Sequence, residues 1–238
     1  MRFLAGLFTL FAALLPGAAL AQTVDASAPG RAAPAPMTPE NMLVLDLSTG
    51  GRVTIWLRPD VAPKMVERVK TLARQRFYDG LAFHRVIDGF MAQGGDPKGD
   101  GTGGSSLPNV VAEFNYLPHV RGAVSAARAD DNNSANSQFF IVFQPKLNLD
   151  KKYTVFGRVI EGMQWVDAIE RGEPPASPSR ILRAYVLADN PPPYQPPPPL
   201  LPLPAPASTM LPLPTGPAAA TPRLAPAKPA ARRPARRI

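Results

Sequence analysis

The central part of the chain begins with two segments in which apolar and polar residues alternate. They span residues 42–49 and 52–58, and Gly50 and Gly51 lie between them. Alternation of period two is typical of strands with one buried face, and a glycine pair between two such runs favours a tight reversal. We therefore predict a β-hairpin at the start of the domain.

A helix is predicted directly after this hairpin. Asp60 is its expected N-cap, and Pro63 lies in the first turn, where proline is tolerated. One face then carries apolar residues at helical spacing: Ala62, Met65, Val66, Val69, Leu72 and Ala73. This stripe predicts that the helix buries one face against the rest of the domain.

Short strand-like segments separated by glycine turns follow this helix. They cover residues 82–86, 90–93, 122–127, 138–143 and 153–160, and a last alternating segment covers 181–188. A second short helix is predicted over residues 163–171, between the last two of these segments. Many short strands with only two helices, far apart in sequence, indicate an antiparallel barrel or sandwich whose open ends the helices cover.

The start of the chain has the pattern of a secretory signal peptide. An apolar run at residues 3–15 is followed by a Pro-Gly pair and by Ala-Leu-Ala, and cleavage is expected after Ala21. The alternative is an uncleaved membrane anchor, but the run is shorter than the roughly 20 residues that a membrane span needs. We expect residues 1–21 to be removed and the protein to be periplasmic or secreted.

The other end of the chain is basic and rich in proline. Residues 191–238 hold 17 of the 31 prolines, six cations and no acid, a composition that predicts a disordered tail. Taking these six cations and Arg2 from the net charge of +8 leaves +1, so the charge gives no reason to expect that the domain binds nucleic acid. Residues 22–40 are rich in Ala and Pro and are predicted to be a linker, which leaves 41–190 as one domain.

The residue types exclude several kinds of chemistry. The chain has no cysteine, so it can form neither a disulfide nor a zinc–thiolate site. His84 and His119 are its only imidazoles and belong to no metal-binding motif, so we expect neither a metal nor a cofactor. A Ser-His-Asp hydrolase is not excluded by residue count, but no Gly-x-Ser-x-Gly motif is present. The glycine run at 99–104 lacks the Gly-Lys-Ser/Thr ending of a phosphate loop, and we interpret it as turns or as part of a site wall.

One stretch carries a cation, an amide and apolar surface without any nucleophile and base. Residues 83–96 read FHRVIDGFMAQGGD, and this stretch closely resembles the cyclophilin signature. The resemblance continues through GTGG at 101–104, SQFFI at 137–141, YTVFG at 153–157 and EGM at 161–163. These motifs stand in the family's order and spacing, and the resemblance covers about residues 42–188. Neither the signal segment nor the tail shares in it.

The resemblance implies a closed eight-stranded antiparallel β-barrel with two α-helices, and peptidyl-prolyl cis–trans isomerase activity without a cofactor. This reaction breaks no bond, because it only rotates an imide whose barrier is about 18–20 kcal/mol. In the twisted transition state the prolyl nitrogen regains its lone pair and becomes a hydrogen-bond acceptor. A donor aimed at this nitrogen binds the transition state better than the ground state. An arginine among apolar walls therefore suffices for the chemistry.

Roles follow from the resemblance position by position. The expected catalytic residues are Arg85 as the donor, Phe90 in the proline pocket, and Gln93, which holds a substrate carbonyl or orients Arg85. The expected substrate-binding residues are Met91, Gly101, Ala127, Arg128, Gln138, Phe140, Leu149 and Tyr153. We expect Phe83 and Phe139 to belong to the core, and His84 to be a structural hydrogen-bonding residue.

Two positions on the rim of the pocket depart from the family's pattern. Asn148 stands where many cyclophilins have Trp, and Tyr153 stands where many have His. Both affect the expected substrate preference and cyclosporin affinity more than turnover. Ala126, where Met is common, is interpreted as an adjustment of the core.

The function expected from the sequence is an exported bacterial prolyl isomerase, monomeric, that acts on proline-containing segments of unfolded or partly folded chains. The alternative is a chaperone or scaffold that binds such segments without turnover, although a pure binder has no need of Arg85. Three hypotheses remain for the tail: its Leu-Pro and Ala-Pro pairs occupy the proline pocket, its cations make weak contact with an anionic envelope surface, or it is a spacer.

Overall fold

The computed structural model describes residues 33–197. The predicted signal peptide, most of the predicted linker and the tail from residue 198 lie outside the described residues. The strands are β1 (Met42–Leu47), β2 (Arg52–Leu57), β3 (Arg85–Ile87), β4 (Met91–Gly94), β5 (Ala123–Ala126), β6 (Phe139–Val142), β7 (Val155–Glu161) and β8 (Ile181–Val186). The helices are α1 (Pro63–Arg74) and α2 (Met163–Asp167), and short 3₁₀ turns cover Pro39–Asn41, Leu147–Leu149 and Leu187–Asp189.

The eight strands form one antiparallel sheet in the order β3-β4-β6-β5-β7-β2-β1-β8. The mainly β, eight-stranded prediction with two helices is confirmed. The closed barrel is not confirmed, because no ladder joins β3 to β8 within residues 33–197. Instead, one isolated antiparallel bridge, between Ala82 and Arg180, connects the segments just before β3 and β8. Its two hydrogen bonds run from Phe83 N to Ser179 O and from Ile181 N to Leu81 O, both at 2.9 Å.

The opening hairpin pairs β1 with β2, as the alternation predicted. In β2 every second residue is buried, whereas all six residues of β1 are buried. The one acid of β1, Asp46, is covered as well, and Arg52 Nε approaches its carboxylate at 2.7 Å across the hairpin. A buried carboxylate requires such a partner, so the polar position in β1 reflects an ion pair, not a solvent-facing side.

The turn of this hairpin supports a tryptophan from the other end of the domain. Trp165, from α2, lies over Gly51 so closely that a Cβ on Gly51 would stand 2.2 Å from the indole ring. The Thr49 hydroxyl donates to the Trp165 carbonyl at 2.8 Å. Glycine is therefore needed at residue 51 for close approach, and α2 is attached to the hairpin.

The apolar stripe of α1 is buried as predicted, but its N-cap is not the residue expected. The helix begins at Pro63, and the N-cap residue, Ala62, makes no side-chain hydrogen bond. Asp60 instead pairs with Arg58 at 2.6 Å. The carboxylate of Glu113 accepts hydrogen bonds from the first free amides of the helix, Lys64 N and Met65 N, both at 3.0 Å. A distant loop thus satisfies amides that a local cap was expected to satisfy.

The second helix is shorter than predicted and ends at Asp167, although Ile169 beyond it is still buried.

Part of each predicted flanking segment contacts the domain. Glu40 pairs with Lys70 and Arg74 of α1, and the Tyr194 hydroxyl donates to the Leu47 carbonyl at 2.9 Å. Among the helices of residues 33–197, none has the length and apolar character needed to cross a membrane.

Candidate active site

Nine of the eleven predicted site residues line one cavity of about 350 Å³ at the surface of the sheet. They are Arg85, Phe90, Met91, Gln93, Ala127, Arg128, Phe140, Leu149 and Tyr153, and Asn148 completes the lining. The other two, Gly101 and Gln138, line a smaller adjoining cavity of about 180 Å³ that shares Gln93, Ala127 and Arg128 with the first. The structure therefore brings together residues that are up to 68 positions apart in the sequence.

The antiparallel register explains why these side chains meet. Arg85 in β3 lies opposite Gln93 in β4, and Gln93 lies opposite Phe140 in β6. Residues that pair directly across strands project from the same face of a sheet. Met91 lies two residues before Gln93 and so shares this face. One row across three short strands thus supplies the cation, the amide and the aromatic floor of the cavity.

The apolar wall is a cluster of aromatic rings around Phe140. The Phe140 ring is 5 % exposed and contacts Phe90 at 6.4 Å and Tyr153 at 5.9 Å, both measured between ring centroids. His119 stacks behind it at 6.1 Å with an interplanar angle of 17°. Rings held from several sides have little freedom to move, so the cavity keeps its shape when it is empty.

The amides at the polar side of the cavity form a chain of hydrogen bonds. Gln93 Nε2 donates to Gln138 Oε1 at 2.9 Å, and Gln138 Nε2 donates to the carbonyls of Gly101 at 3.0 Å and Gly103 at 2.8 Å. Gln93 makes no hydrogen bond to Arg85 within the described residues. Of its two expected roles, the orientation of Arg85 by direct contact is therefore not seen, and its carbonyl oxygen and remaining N–H are free for a ligand.

The guanidinium of Arg85 has a partner that the sequence analysis did not predict. Arg85 Nε donates to Glu173 Oε2 at 2.7 Å, and both side chains are about half exposed. Glu173 lies in the loop between α2 and β8, 88 residues from Arg85. Nothing in a single sequence marks such a contact between a strand and a distant surface loop. The Arg85 Nη groups make no hydrogen bond to any described residue and remain available at the cavity.

Comparisons with known proteins agree with this geometry. The family model described as cyclophilin type peptidyl-prolyl cis-trans isomerase/CLD matches residues 44–186, which is more than half of the chain. The chain belongs to the cyclophilin family. It is 46 % identical over 168 residues to a probable peptidyl-prolyl cis-trans isomerase of Brucella suis, covering 64 % of this chain and 85 % of that protein. Peptidyl-prolyl cis-trans isomerase B of Bacillus subtilis is 41 % identical over 128 residues, covering 53 % and 89 %.

Solved cyclophilin structures have the same fold. Cyclophilin AquaCyp293 from Hirschia baltica superposes with a TM-score of 0.60 at 29 % identity, covering 65 % of this chain and 77 % of that one. A Cryptosporidium parvum cyclophilin crystallised in the presence of the dipeptide Ala-Pro superposes with a TM-score of 0.57 at 27 % identity, covering 61 % and 98 %. The activity of this cyclophilin is accordingly that of a peptidyl-prolyl cis–trans isomerase.

A Ser-His-Asp arrangement lies beneath the pocket of this cyclophilin but cannot act as a hydrolase. His119 Nδ1 stands 2.9 Å from Asp150 Oδ1, and His119 Nε2 stands 3.2 Å from Ser125 Oγ. Ser125 is fully buried, and its hydroxyl donates to the Thr154 carbonyl at 2.9 Å. No substrate carbonyl can reach this oxygen. Contacts with Asp150 and Ser125 therefore hold the imidazole of His119 in place, and this ring supports Phe140 from behind.

Burial determines the charge state of both histidines. Burial lowers the pKa of His119, although Asp150 acts in the opposite direction. Burial also lowers the pKa of His84, against the attraction of Asp96 and Asp100. His84 was expected to be a structural hydrogen-bonding residue, and this prediction is wrong: neither ring nitrogen has a partner within residues 33–197. The ring is 6 % exposed, so His84 acts as a neutral packing residue beside Arg85.

Arg128 is a rim residue whose donors are largely used by the protein itself. Its guanidinium lies over the Tyr153 ring at 4.6 Å from the centroid, and its Nη groups donate to the carbonyls of Ala129, Asp130 and Lys152. A cation over an aromatic face is favourable and fixes both side chains. Arg128 therefore shapes the groove, and Tyr153, at the position where many cyclophilins have His, is held in place by it.

Within residues 33–197 no group of three or more His, Asp and Glu residues could hold a metal ion.

Proposed function

We propose that this cyclophilin isomerises X-Pro bonds with Arg85 as the transition-state donor and the cluster around Phe140 as the proline pocket. The observation that supports this assignment is a guanidinium whose Nη groups bond to no described residue, in the lining of a cavity of about 350 Å³ whose floor is the apolar cluster around Phe140. Arginine is always charged and presents a planar fork of donors. When the imide twists, its nitrogen becomes an acceptor and binds this fork better than the planar ground state does.

The ring of the substrate proline would lie on Phe90, Met91 and Phe140, where it excludes water from the bond that rotates. Hydrogen bonds in a dry site are stronger than in water. The free carbonyl oxygen and N–H of Gln93 would bind the backbone of the substrate beside the proline. These roles require no proton transfer, so neither His84 nor His119 is needed as an acid or a base.

The experiment that tests this function is a protease-coupled assay on a tetrapeptide with a cis-prolyl bond. The purified domain at micromolar concentration should accelerate cis-to-trans conversion well above the uncatalysed rate, which takes tens to hundreds of seconds. Peptide binding without acceleration would favour a chaperone or scaffold that holds proline-containing segments.

We propose further that the protein is exported, acts on unfolded or partly folded chains in the periplasm or outside the cell, and is monomeric. The support is the signal-peptide pattern before residue 22. The mass of the N-terminus after expression with the full leader tests it: cleavage after Ala21 is expected, and an uncleaved chain in the membrane fraction would contradict export. Size-exclusion chromatography with light scattering tests the monomer.

For the tail, we propose from its composition that its cations make weak contact with an anionic envelope surface. Its test is truncation after Pro197, which keeps the contact between Tyr194 and Leu47. Salt-sensitive binding to anionic vesicles should be lost in the truncated protein. A lower KM for a test peptide after truncation would instead favour a tail that occupies the pocket, and no change in either assay would leave a spacer.

We also propose that the sheet closes as a barrel in solution. The supporting contacts are the hydrogen bonds of Phe83 with Ser179 and of Ile181 with Leu81, which connect the two outer strands at one end. Slow amide exchange at Phe83 and Ile181, matching that of the sheet interior, is the expected result; fast exchange at both would indicate an open sheet.

A further inference from the structure

We propose that Glu173 is a positioning residue for catalysis, which fixes the orientation of the Arg85 guanidinium through its Nε. The proposal rests on the assignment of Arg85 as the catalytic donor. Its basis is the 2.7 Å contact between Arg85 Nε and Glu173 Oε2. This is the only hydrogen bond of the guanidinium within residues 33–197, so no other described side chain orients it.

The loop that carries Glu173 is attached to the strand that carries Arg85. Val86 N donates to Gly172 O at 2.8 Å, and Gly172 N donates to Val86 O at 2.9 Å. Val86 and Gly172 are the chain neighbours of Arg85 and Glu173, so the two charged residues extend from one paired segment. A Cβ on Gly172 would stand 2.6 Å from Pro175 Cα, and the loop is therefore tight.

The first part of the loop is held by Arg171. Its guanidinium lies over the Phe143 ring at 4.2 Å and donates to the Asp167 carbonyl at 2.8 Å. The carboxylate of Glu173 is half exposed, but the backbone directly before it is held at Arg171 and Gly172. An exposed ion pair adds little to stability. We therefore expect the pair of Arg85 and Glu173 to affect the rate of catalysis and not the stability of the fold.

Geometry explains what the contact does. A guanidinium carries five N–H donors in one plane, and a hydrogen bond at Nε restricts the directions in which that plane can turn while it leaves all four Nη hydrogens unoccupied. The prolyl nitrogen of the transition state is a neutral acceptor, so the direction of the donor matters more than the net charge around it. A donor already oriented loses less freedom when the transition state forms. The carboxylate therefore favours catalysis even though it partly neutralises Arg85.

Four variants separate a hydrogen-bond role from a charge role. Glu173→Gln removes the charge but keeps an oxygen at the same reach. Glu173→Asp keeps the charge but withdraws it by one methylene. Glu173→Ala removes both, and Glu170→Ala removes an exposed acid three residues away as a control for net charge. Each is measured for kcat and KM on one prolyl peptide at low ionic strength, with thermal unfolding as the check on folding.

We expect Glu173→Ala and Glu173→Asp to lower kcat/KM by about 3- to 10-fold, a fraction of the roughly 10²–10³-fold effect of losing one whole donor. The loss should be in kcat, with KM and the midpoint of unfolding unchanged. Glu173→Gln and Glu170→Ala should stay within about twofold of the parent. Full or increased activity of Glu173→Ala, or a weaker Gln than Asp variant, would overturn the proposal.

A double-mutant cycle with Arg85→Ala separates this proposal from the proposed function. If Glu173 acts through Arg85, Glu173→Ala has no further effect in the Arg85→Ala background. The same 3- to 10-fold loss in both backgrounds would show that Glu173 acts elsewhere and would overturn the positioning role alone. An Arg85→Ala variant with parental activity would instead contradict the proposed function itself.

Discussion

The replacement Arg85→Ala tests whether the cation at the pocket acts in catalysis or in folding. Arg85 is 42 % exposed, and Glu173, its one side-chain partner among residues 33–197, is 50 % exposed. Exposed ion pairs contribute about 0–1 kcal/mol to stability. For a domain of this size, 1 kcal/mol corresponds to a shift of about 2–4 °C in the unfolding midpoint. We therefore expect Tm to fall by no more than about 4 °C.

The effect on catalysis should be far larger. Removal of one donor that binds the developing charge or lone pair of a transition state typically costs about 10²–10³ in rate, or about 2.7–4 kcal/mol. Arg128, the other arginine that lines the cavity, already donates its Nη groups to the carbonyls of Ala129, Asp130 and Lys152. We expect kcat/KM to fall by about 10²–10³, with peptide affinity little changed since the apolar floor is intact.

The assay is protease-coupled isomerisation of a prolyl tetrapeptide, with peptide binding measured separately by titration calorimetry. Arg85→Lys is the matched control: it keeps the charge but lacks the planar fork, and it should recover only part of the activity. Parental kcat/KM in Arg85→Ala would refute the reasoning. So would a variant that is unfolded at assay temperature, since the argument gives Arg85 no packing role.

Three more predictions concern stability as well as activity. Phe90→Ala should lower activity and destabilise by about 2 kcal/mol, less than the 3–5 kcal/mol of a fully buried ring because Phe90 is partly exposed; urea unfolding measures this, and no change would place the ring outside the packed cluster. Gly51→Ala should cost about 1–3 kcal/mol, because its Cβ would displace Trp165, and near-UV circular dichroism should change with it; an unchanged spectrum and Tm would contradict this. The pKa values of His84 and His119 are lowered by burial, so the unfolded chain binds protons first as pH falls below about 6.5 and stability should decrease from pH 7.5 to 5.5. Asn replacements of either histidine should flatten that slope, and a parental slope in both variants would show that other groups cause it.

The sequence predicted those features that depend on local pattern. Alternation around Gly50 and Gly51 predicted the first hairpin, and the apolar stripe of α1 predicted its buried face. The motif at residues 83–96 predicted that Arg85 and Gln93 lie close together. The spacing of the motif reflects the strand register, in which these two residues lie opposite each other. The hairpin and the buried face of α1 were predictable because neighbouring residues determine strand and helix faces.

Contacts between distant loops could not be predicted in this way. Glu113 caps α1 from 48 residues away, where a single sequence offered the nearer Asp60. Glu173 reaches Arg85 from a loop that no strand pattern defines. His84 looked like a hydrogen-bonding residue because imidazoles usually find partners, and only the three-dimensional surroundings show that it has none among the described residues. Each miss concerns a polar group whose partner is chosen by tertiary packing.

The rim of the pocket predicts weak inhibition by cyclosporin. Asn148 lines the cavity within the 3₁₀ turn Leu147–Leu149 and is exposed. In many cyclophilins this position is Trp, which offers a broad apolar surface and an N–H donor. Asparagine supplies little apolar area. The proline itself is bound deeper, on Phe140 and Met91, both of which are buried, so turnover of a small peptide should depend much less on the rim.

Asn148→Trp should therefore increase cyclosporin affinity while kcat/KM for a tetrapeptide stays within a few-fold. A lost contact with a well-placed hydrogen bond costs about 1–3 kcal/mol, and at about 1.4 kcal/mol per decade this corresponds to roughly 5- to 100-fold or more in affinity. Inhibition curves of the two proteins in the same assay measure the gain, and Leu147→Trp, on the adjacent exposed residue, controls for added surface aromaticity. Tight inhibition of the unmodified protein, or an equal gain in both variants, would show that residue 148 does not determine cyclosporin affinity in this cyclophilin.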